Sequence, residues 1–378
     1  MSQSANLNEE FHCIGCGAIL QSEMDDKAGY VPASVLKKPA EELEEIYCRR
    51  CFRLRHYNEV SDVELTDDDF LRMLNEISSK DALVVNVVDT FDFNGTLIAG
   101  MQRFSGKNPL IIVGNKEDLM PNVISNGKIR QWMTERIHEA GLRPKEVVLI
   151  SAKRSESVKE LMKIIDKERK GRDVYVVGAT NVGKSTLINQ VINIATESPD
   201  MITTSYFPGT TLGSIEIPLD DGSHLIDTPG VIHRSNLTHF LSGKELKQII
   251  PRSEVKPKVY QINDQQSIFV DGLARFDYLS GYGKQAFVFY VSNDLQLHRT
   301  KLENADELYE KHVGKMLNPP NEFTAKTFPK LKRHEFTIKE PSDVVVSGLG
   351  WVSVENPNTK VAMWAPEGVD VFVRKSMI

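Results

Sequence analysis

The most chemically specific stretch of the sequence is GATNVGKS, which runs from Gly178 to Ser185. Its spacing matches the phosphate-binding loop, in which glycines enclose a short turn and a lysine and a hydroxyl residue follow. Backbone N–H groups of such a loop cradle phosphates, the lysine reaches the β and γ oxygens, and the hydroxyl binds Mg²⁺. We therefore expect the phosphates of a nucleotide to be held by Gly178, Asn181, Val182, Gly183, Lys184, Ser185 and Thr186.

Two stretches downstream of this loop could complete a centre for phosphoryl transfer. DTPG ends an apolar run, so that Asp227 is placed to hold Mg²⁺ through water and the Gly230 N–H to contact a γ-phosphate. Between the loop and DTPG, the stretch SYFPGTTLG offers Thr210 and Thr211 as switch residues. Thr211 is the favoured residue to close on Mg²⁺ and the γ-phosphate, and the alternative is that either hydroxyl belongs to a simple turn.

A candidate for reading the base lies upstream, in the stretch NKED that follows the apolar run LIIVG. Asp118 can accept two hydrogen bonds from the N1 and N2 positions of guanine, where adenine offers no such pair of donors. Asn115 and Lys116 would brace the loop. Because an unpaired buried carboxylate is costly, this site should reject adenine strongly.

A second upstream stretch, SAK, ends the run EVVLI, and the backbone of Ser151, Ala152 and Lys153 could contact the guanine oxygen. In the common GTPase order both base-reading motifs follow the phosphate loop, but here they precede it. Either the motifs belong to separate domains, or they belong to one domain that binds GTP and GDP and whose chain order has been rearranged, with new termini and the old ends joined. The second explanation is physically sound, since a doubly wound sheet depends on which strands are neighbours and not on where the chain ends.

The four cysteines form two pairs with two-residue spacing, CIGC and CRRC, near the N-terminus. Such pairs are typical of an all-thiolate tetrahedral shell for structural Zn²⁺, with no open position for catalysis. The alternatives are disulfides, which a reducing compartment disfavours, or four idle buried thiols. The predicted zinc ligands are Cys13, Cys16, Cys48 and Cys51.

The second cysteine pair lies in YCRRCFRLRHY, where arginines alternate with aromatic residues. This mixture can bind phosphates and stack on bases, although a solvated surface would look the same. A similar mixture occurs in TAKTFPKLKRHEF, and there too a solvated loop or strand edge is the alternative. The residues concerned are Arg49, Arg50, Phe52, Arg53, Arg55 and Tyr57 in the first stretch and Lys326, Phe328, Lys330, Lys332, Arg333 and Phe336 in the second.

The stretches that must position these motifs alternate in type. Short apolar runs (ALVVNVVD, PLIIVGNKED, EVVLISAK, DVYVVGAT and HLIDTPG) are separated by amphipathic segments, the first of which is SDVELTDDDFLRMLNEI. Runs that are nearly all apolar are typical of parallel strands buried on both faces. The sequence therefore predicts an α/β fold, a doubly wound, mostly parallel sheet. The charged stretch DKERKGRD, from Asp166 to Asp173, is predicted to be a joining linker.

Beyond about residue 235 the sequence changes to strand-like stretches such as KQAFVFYVS and VDVFVRK, with helices predicted at SGKELKQIIP and ADELYEKHVGKML. We therefore predict a four-cysteine zinc finger over residues 1–58, the GTPase domain over 59–235, and a β-rich α+β domain over 236–378. No internal repeat is evident. The glycine-rich stretches GLGWVS and SGYGK are interpreted as turns.

The totals are those of a globular protein. The chain has 378 residues, of which 40% are hydrophobic and 26% charged, and its net charge of -6 gives no global attraction to nucleic acid, so such binding requires local basic patches. The start, MSQSANLNEEFHC, has neither a signal peptide nor a transit peptide pattern, and no apolar run approaches the roughly 18 to 20 residues of a membrane span. We expect a cytoplasmic protein without a membrane partner.

These motifs together resemble the circularly permuted GTPases, and the four-cysteine finger and β-rich C-terminal part make the sequence similar to the YqeH type. The resemblance implies a role in small ribosomal subunit assembly, with rRNA and ribosomal proteins as partners, and a C-terminal domain similar to the tryptophan-responsive RNA-binding attenuation protein. Asn181 occupies the loop position that binds K⁺ in related GTPases. Val231 and Ile232 stand where many GTPases have a glutamine after DxxG, so slow intrinsic hydrolysis is expected.

Three functions remain open from the sequence. The leading hypothesis is a GTPase that binds rRNA or the small ribosomal subunit and times its release by nucleotide state. The second is a regulatory switch whose outer domains bind proteins and no RNA. A third is an RNA-modifying or redox enzyme that carries a GTPase module, which the closed four-thiolate shell and the lack of a dinucleotide fingerprint oppose. The sequence does not indicate the oligomeric state.

Overall fold

A computed structural model of the chain describes residues 11–13, 18–24, 29–37, 46–49, 67–98, 100–197, 215–231, 233–241 and 243–377. The described residues divide into two compact units. The first is drawn from Met1–Asp89, Thr96–Lys116 and Thr134–Ile232, and the second from Thr90–Gly95, Glu117–Met133 and His233–Ile378. In the part of the chain that is described, no helix has both the length and the apolar character needed to cross a membrane.

A six-stranded sheet lies at the centre of the first unit. Its strands are β1 (Ala82–Asp89), β2 (Leu110–Asn115), β3 (Glu146–Leu149), β4 (Asp173–Gly178), β5 (Ile215–Pro218) and β6 (His224–Asp227). The order in the sheet is β3-β2-β1-β4-β6-β5, and all neighbours run parallel except β5 and β6. The strand before the phosphate loop, β4, thus lies between β1, which comes earlier in the chain, and β6, which comes later.

Burial explains why these runs are strands. Every residue of β1 and β2 is buried, and helices pack on the sheet; α5 and α6 contribute Val158, Leu161, Leu187 and Val191 to the same hydrophobic core as the strands. The doubly wound, mostly parallel fold predicted from the sequence is confirmed. The helices of this part of the chain are α1 (Asp67–Ser78), α2 (Phe93–Thr96), α3 (Met101–Ser105), α4 (Asn126–Glu139), α5 (Ser155–Arg169) and α6 (Lys184–Glu197).

The junction between α5 and β4 differs from the predicted linker. Helix α5 continues through the first half of DKERKGRD, to Arg169, and only residues 170–172 separate it from β4. Arg169, the last residue of α5, is buried and donates hydrogen bonds to Asp166 in its own helix and to Asp221 and Ser223 in the turn before β6. The linker is therefore shorter than predicted, because the helix continues to Arg169, which this ion-pair network holds at the edge of the sheet.

Two antiparallel sheets form the second unit. Their strands are β7 (Lys258–Ile262), β8 (Gln266–Val270), β9 (Ala274–Ser280), β10 (Gln285–Val291), β11 (Leu297–Lys301), β14 (Leu331–Ile338), β15 (Ser342–Val346), β16 (Gly350–Val354), β17 (Thr359–Pro366) and β18 (Val371–Lys375), while β12 (Val313–Gly314) and β13 (Leu317–Asn321) pair separately. The sheet orders are β18-β15-β16-β10-β7 and β11-β8-β9-β17-β14. Side chains of both sheets, including Phe276, Phe289, Val344 and Met363, share one hydrophobic core.

The strand pairing reveals an internal duplication that the sequence analysis missed. Strands β7 to β11 pair among themselves as β14 to β18 do: first with fourth, second with third, and second with fifth. The third strand of each half pairs with the fourth strand of the other half, as β9 with β17 and β16 with β10. The two halves are joined through β12, β13 and the helix α8 (Ala305–His312), which is preceded in this unit by α7 (Gly243–Ile249).

Equivalent cross-strand pairs support the duplication. The Ser267 hydroxyl donates to Asp277 at 2.7 Å between β8 and β9, and the Ser353 hydroxyl donates to Asp343 at 2.6 Å between β15 and β16. The serine and the carboxylate have exchanged strands between the halves, but the buried hydrogen bond is the same. At this pair the duplication is one of pairing geometry rather than of residue identity.

Segments from the middle of the chain belong to this second unit as well. Phe91 packs against Trp351 with ring centroids 5.0 Å apart, and the Trp132 indole N–H donates to the Lys375 carbonyl at 3.2 Å. Arg374 lies over the Trp132 ring at 4.6 Å. The residues that follow β1 and β2 in the chain thus pack with the β-rich part, which the sequence alone did not indicate.

Candidate functional site

The phosphate loop lies where β4 ends and α6 begins. Gly183, just before the helix, has a φ of 85°, and a Cβ there would lie 2.5 Å from the Asn115 amide nitrogen. Both the left-handed backbone and the close approach require glycine at this position. Asn181 also has a left-handed φ, of 64°, which asparagine tolerates better than most residues. Ser185 and Thr186 follow in the first turn of α6.

One buried amide joins this loop to both base-reading motifs. The Asn115 side chain is 1% exposed; its nitrogen donates to the Val182 carbonyl at 2.8 Å, and its oxygen accepts from the Ala152 N–H at 2.9 Å. Ser151 and Ala152 are buried, whereas Lys153 is exposed. Asn115 of NKED, the SAK stretch and the phosphate loop therefore meet at the carboxyl ends of β2, β3 and β4, although they are far apart in the chain.

Lys116 forms a second connection to the loop. Its ammonium group donates to the Asp89 carboxylate at 2.7 Å and to the Asn181 carbonyl. Lys116 has a φ of 65°, a conformation that costs a non-glycine residue about 1 kcal/mol or more and persists where surrounding contacts hold it. Asp89, the last residue of β1 and in register with Asn115, was missed by the sequence analysis. A carboxylate ending a buried strand was the available signal.

The DTPG stretch lies on the other side of the loop. The Lys184 ammonium group donates to the Asp227 carboxylate and to the Thr228 carbonyl, and both charged side chains are 3% exposed. Beyond β6, the Thr180 N–H donates to the Val231 carbonyl at 2.8 Å, and the Val231 N–H donates to the Gly178 carbonyl at 3.1 Å. Lys184 and Asp227 are thus held side by side.

Gly230 is confined by the same contacts, since a Cβ on it would lie 3.2 Å from the Thr180 methyl group. Asp118 lies in a 3₁₀ turn, Glu117–Leu119, which directly follows β2 and belongs to the second unit; its side chain is half-buried. Thr210 and Thr211 lie outside the described residues. The structure thus positions the loop, NK, SAK and DTPG stretches, and the switch threonine stays a prediction.

The cysteine pairs are described in part, because Cys16 and Cys51 lie outside the described residues. Cys13 and Cys48 are buried in a small apolar cluster with Leu20 and Val31. The Cys48 backbone N–H donates to the Cys13 sulfur at 3.1 Å, which brings one cysteine of each predicted pair together. A sulfur that accepts an N–H hydrogen bond is stabilised as a thiolate, the form that binds metal.

Comparisons with known proteins agree with this arrangement. The family model described as 50S ribosome-binding GTPase matches residues 173–271, and the one described as YqeH-like, C-terminal, matches residues 284–377. The Bacillus subtilis protein YqeH is 51% identical over 371 residues, which cover 98% of this chain and 100% of that protein. NO-associated protein 1, chloroplastic/mitochondrial, of Arabidopsis thaliana is 31% identical, over 97% of this chain and 76% of its own length.

Among solved structures, the GNP-bound YlqF from T. maritima matches 49% of this chain and 66% of its own with 22% identity and a TM-score of 0.31. The similarity to YqeH includes the cysteine pairs, the GTPase motifs and the β-rich C-terminal part, because about half of the residues are identical over 98% of the chain. The motif order is permuted, since β1 to β3 precede the loop strand β4 in the chain and belong to the same sheet. The chain belongs to the YqeH family and is a P-loop GTPase.

Proposed function

We propose that this GTPase is a nucleotide-dependent switch that binds rRNA or the small ribosomal subunit and acts in subunit assembly. The observation that carries the proposal is the Asn115 amide, which holds the phosphate loop and the SAK stretch in one site. A site braced in this way can change the affinity of attached domains according to the bound nucleotide. The matching family described as 50S ribosome-binding GTPase supports a ribosomal partner. Because 50S denotes the large subunit, binding to both subunits should be tested.

In this proposal GTP is held by the residues that the sequence assigned. Asp118 accepts from guanine, the backbone at Ser151 to Lys153 contacts the guanine oxygen, and the loop around Gly183 cradles the phosphates. Ser185, Asp227 and Thr211 would hold Mg²⁺, which neutralises charge that develops on the phosphate oxygens. The buried contact between Lys184 and Asp227 supports this assignment, because the ammonium group that would bind phosphate lies next to a carboxylate of the kind that binds Mg²⁺.

Hydrolysis is proposed to be slow without a further activator. Val231 follows Gly230, and its apolar side chain cannot orient a water molecule. Its backbone N–H and carbonyl are hydrogen-bonded to the phosphate loop. A cation near the phosphates can replace a missing catalytic side chain, and an arginine supplied in trans is worth about 10³ to 10⁵ in rate. We propose that K⁺ fills this role and that Asn181 contributes to its site. The left-handed backbone of Asn181 supports a bound phosphate at this turn, because such turns gather backbone N–H groups into an anion-binding concavity.

Structural Zn²⁺ and RNA contact belong to the same proposal. The hydrogen bond from Cys48 to the Cys13 sulfur supports a four-thiolate site with Cys16 and Cys51. We keep the division into a zinc finger over residues 1–58, a GTPase domain over 59–235 and a C-terminal RNA-binding domain over 236–378. Ribosomal proteins are further candidate partners, and the reducing cytoplasm is the compartment in which such thiolates persist.

Co-sedimentation of the full chain with purified ribosomal subunits tests the proposal. We expect binding to the small subunit in K⁺ buffer that is tighter with a non-hydrolysable GTP analogue than with GDP, and weaker after Arg49→Ala and Arg53→Ala. Binding to the large subunit alone would overturn the small-subunit assignment. No binding to either subunit in any nucleotide state would reject ribosome assembly and favour a switch with protein partners.

A further inference from the structure

A pocket of about 350 Å³ lies at the edge of the parallel sheet opposite the nucleotide site. Its lining residues precede β2, β3 and β4, so they gather at the amino ends of these strands, whereas the GTPase motifs follow the carboxyl ends. The lining includes three segments of the first unit, at residues 106–110, 143–145 and 168–172, together with Gln102. The last segment contains the junction that joins α5 to β4 in the permuted chain.

Positive charge dominates this pocket. Its charged lining residues are Lys107, Arg143, Lys145, Lys170, Arg172 and a single acid, Glu168. Arg172 pairs with Asp81 at 2.6 Å, and Arg143 donates to the carbonyls of His138 and Leu142. Within the described residues the three lysines have no carboxylate partner, and all three are exposed. This excess of charge is local, because the whole chain carries a net charge of -6.

The walls of the pocket are fixed although its lysines are exposed. The Asn108 amide donates to the Ile77 carbonyl at 2.9 Å and accepts from the Ala82 N–H at 3.2 Å, which ties the segment before β2 to the end of α1 and the start of β1. Arg169 anchors the junction through Asp166 and Asp221. The lysines therefore project from a rigid rim, and no carboxylate of the described residues pairs with them.

We infer that this pocket binds the phosphate backbone of RNA, and the inference rests on the proposed binding of rRNA. A concave surface lined by one sign of charge concentrates the electrostatic field and attracts an oppositely charged chain. Exposed lysines act as point charges that can bind phosphates approaching from many directions. Such contacts position a protein on nucleic acid without reading its sequence.

The lining favours an extended polyanion over a small phosphate ligand or a specific base. It contains no aromatic residue on which a base could stack. Asn108, one of its two amide side chains, is already occupied by backbone groups. The three lysines come from three separate segments along the sheet edge, an arrangement that suits successive phosphates of a chain.

The test uses the full chain and a labelled, single-stranded RNA of mixed sequence, titrated by fluorescence anisotropy over a series of salt concentrations. The double variant Lys107→Ala/Lys145→Ala removes two pocket charges. The control variant Lys159→Ala/Lys163→Ala removes two charges from α5 in the same unit, away from the pocket. Thermal unfolding of both variants checks that each is folded.

We expect the pocket variant to bind this RNA about fivefold more weakly at moderate salt, with a salt dependence of log Kd reduced by about 1.4, from about 0.7 for each lost contact to single-stranded nucleic acid. The control should shift neither value. Equal behaviour of the two variants, with RNA bound by the unsubstituted chain, would overturn this inference alone. Failure of the unsubstituted chain to bind RNA would overturn the inference and the RNA part of the proposed function together.

A second arm separates RNA from a small polyanion. Tripolyphosphate is titrated against each variant under the same conditions, with the nucleotide site saturated by GDP so that only binding elsewhere is measured. If the pocket variant lost tripolyphosphate binding and kept its affinity for RNA, the occupant would be a small phosphate compound, and the inference would be overturned. Loss of RNA affinity with little binding of tripolyphosphate to any variant supports the RNA backbone.

Discussion

The lysines at the two edges of the parallel sheet differ in their partners. We call the edge where the parallel strands end the carboxyl edge and the edge where they begin the amino edge. At the carboxyl edge, Lys116 and Lys184 are each tied to a carboxylate and a backbone carbonyl. At the amino edge, Lys107, Lys145 and Lys170 are exposed and have no carboxylate partner among the described residues. The same strands support both sets, so the difference lies in the loops that connect them.

This difference corresponds to two kinds of recognition. Groups held in place before a ligand binds lose little freedom on binding and can discriminate closely related ligands. Exposed point charges on flexible stems adapt to many phosphate positions and discriminate little. The comparison therefore predicts that substitutions at the carboxyl edge change which nucleotide is bound, whereas substitutions at the amino edge change only how strongly a polyanion is bound.

The largest effect is expected from Asp118→Asn. The amide donates where the carboxylate accepted, so guanine N1 and N2 lose their acceptor and xanthine becomes the better base. We expect GTP affinity to fall by about 10³-fold and binding to shift to xanthosine triphosphate. Fluorescent nucleotide titrations measure both. Unchanged preference for guanine would show that the NKED stretch does not read the base.

A matched pair of asparagines gives the next effect. Asn115 at the carboxyl edge and Asn108 at the amino edge each bridge two backbone groups through one side chain amide. Replacing either by alanine leaves a buried donor and acceptor without partners, which should lower the free energy of unfolding by about 2 kcal/mol. Only Asn115→Ala should also weaken GTP binding, by about thirtyfold, the factor to which about 2 kcal/mol corresponds.

Urea unfolding and nucleotide titration of the two alanine variants check this prediction. Equal loss of GTP affinity in both would show that the sheet responds as a whole to lost stability. The contrast between a preorganised edge and a merely structural one would then be wrong. Loss of GTP affinity in the Asn115 variant alone would confirm the contrast.

The sequence predicted the carboxyl edge well because most of its functional residues are close together in short sequence motifs. The loop glycines, the lysine and the hydroxyl follow one another in GATNVGKS, and the flanking strands are almost wholly apolar. Asp89 was missed, since its role depends on the pairing of β1 with β2 rather than on its neighbours in the chain.

The amino edge could not be predicted in the same way. Its cations come from segments around residues 107, 145 and 170, each of which reads as an ordinary solvated turn. The duplication in the second unit escaped for a related reason: Ser267 and Asp277 in one half correspond to Asp343 and Ser353 in the other, so the residue types are interchanged while the hydrogen bond remains. Pairing across strands is a property of the fold, which a linear comparison does not see.

The smallest effect concerns a carboxylate that pairs with Arg169 at the amino edge. The Ser223 hydroxyl and N–H, with the Arg169 guanidinium, lower the pKa of Asp221 from 3.8 to about 2. Because the pKa in the folded chain lies below its unfolded value, the ionised carboxylate stabilises the fold above pH 3.8 and this contribution is lost as the pH falls toward 2.

Asp221→Asn should therefore lower the free energy of unfolding by the same amount from neutral pH down to about pH 5, and the gap should narrow only below that. Urea unfolding over this pH range measures the gap, and Asp220→Asn, at the exposed neighbouring position, serves as the control with no such gap. A gap that already narrows near neutral pH would mean that Arg169 and Ser223 do not hold the carboxylate in its charged form. The junction would then lack the fixed anchor from which the pocket lysines project, and the amino edge would be mobile in its backbone as well as in its side chains.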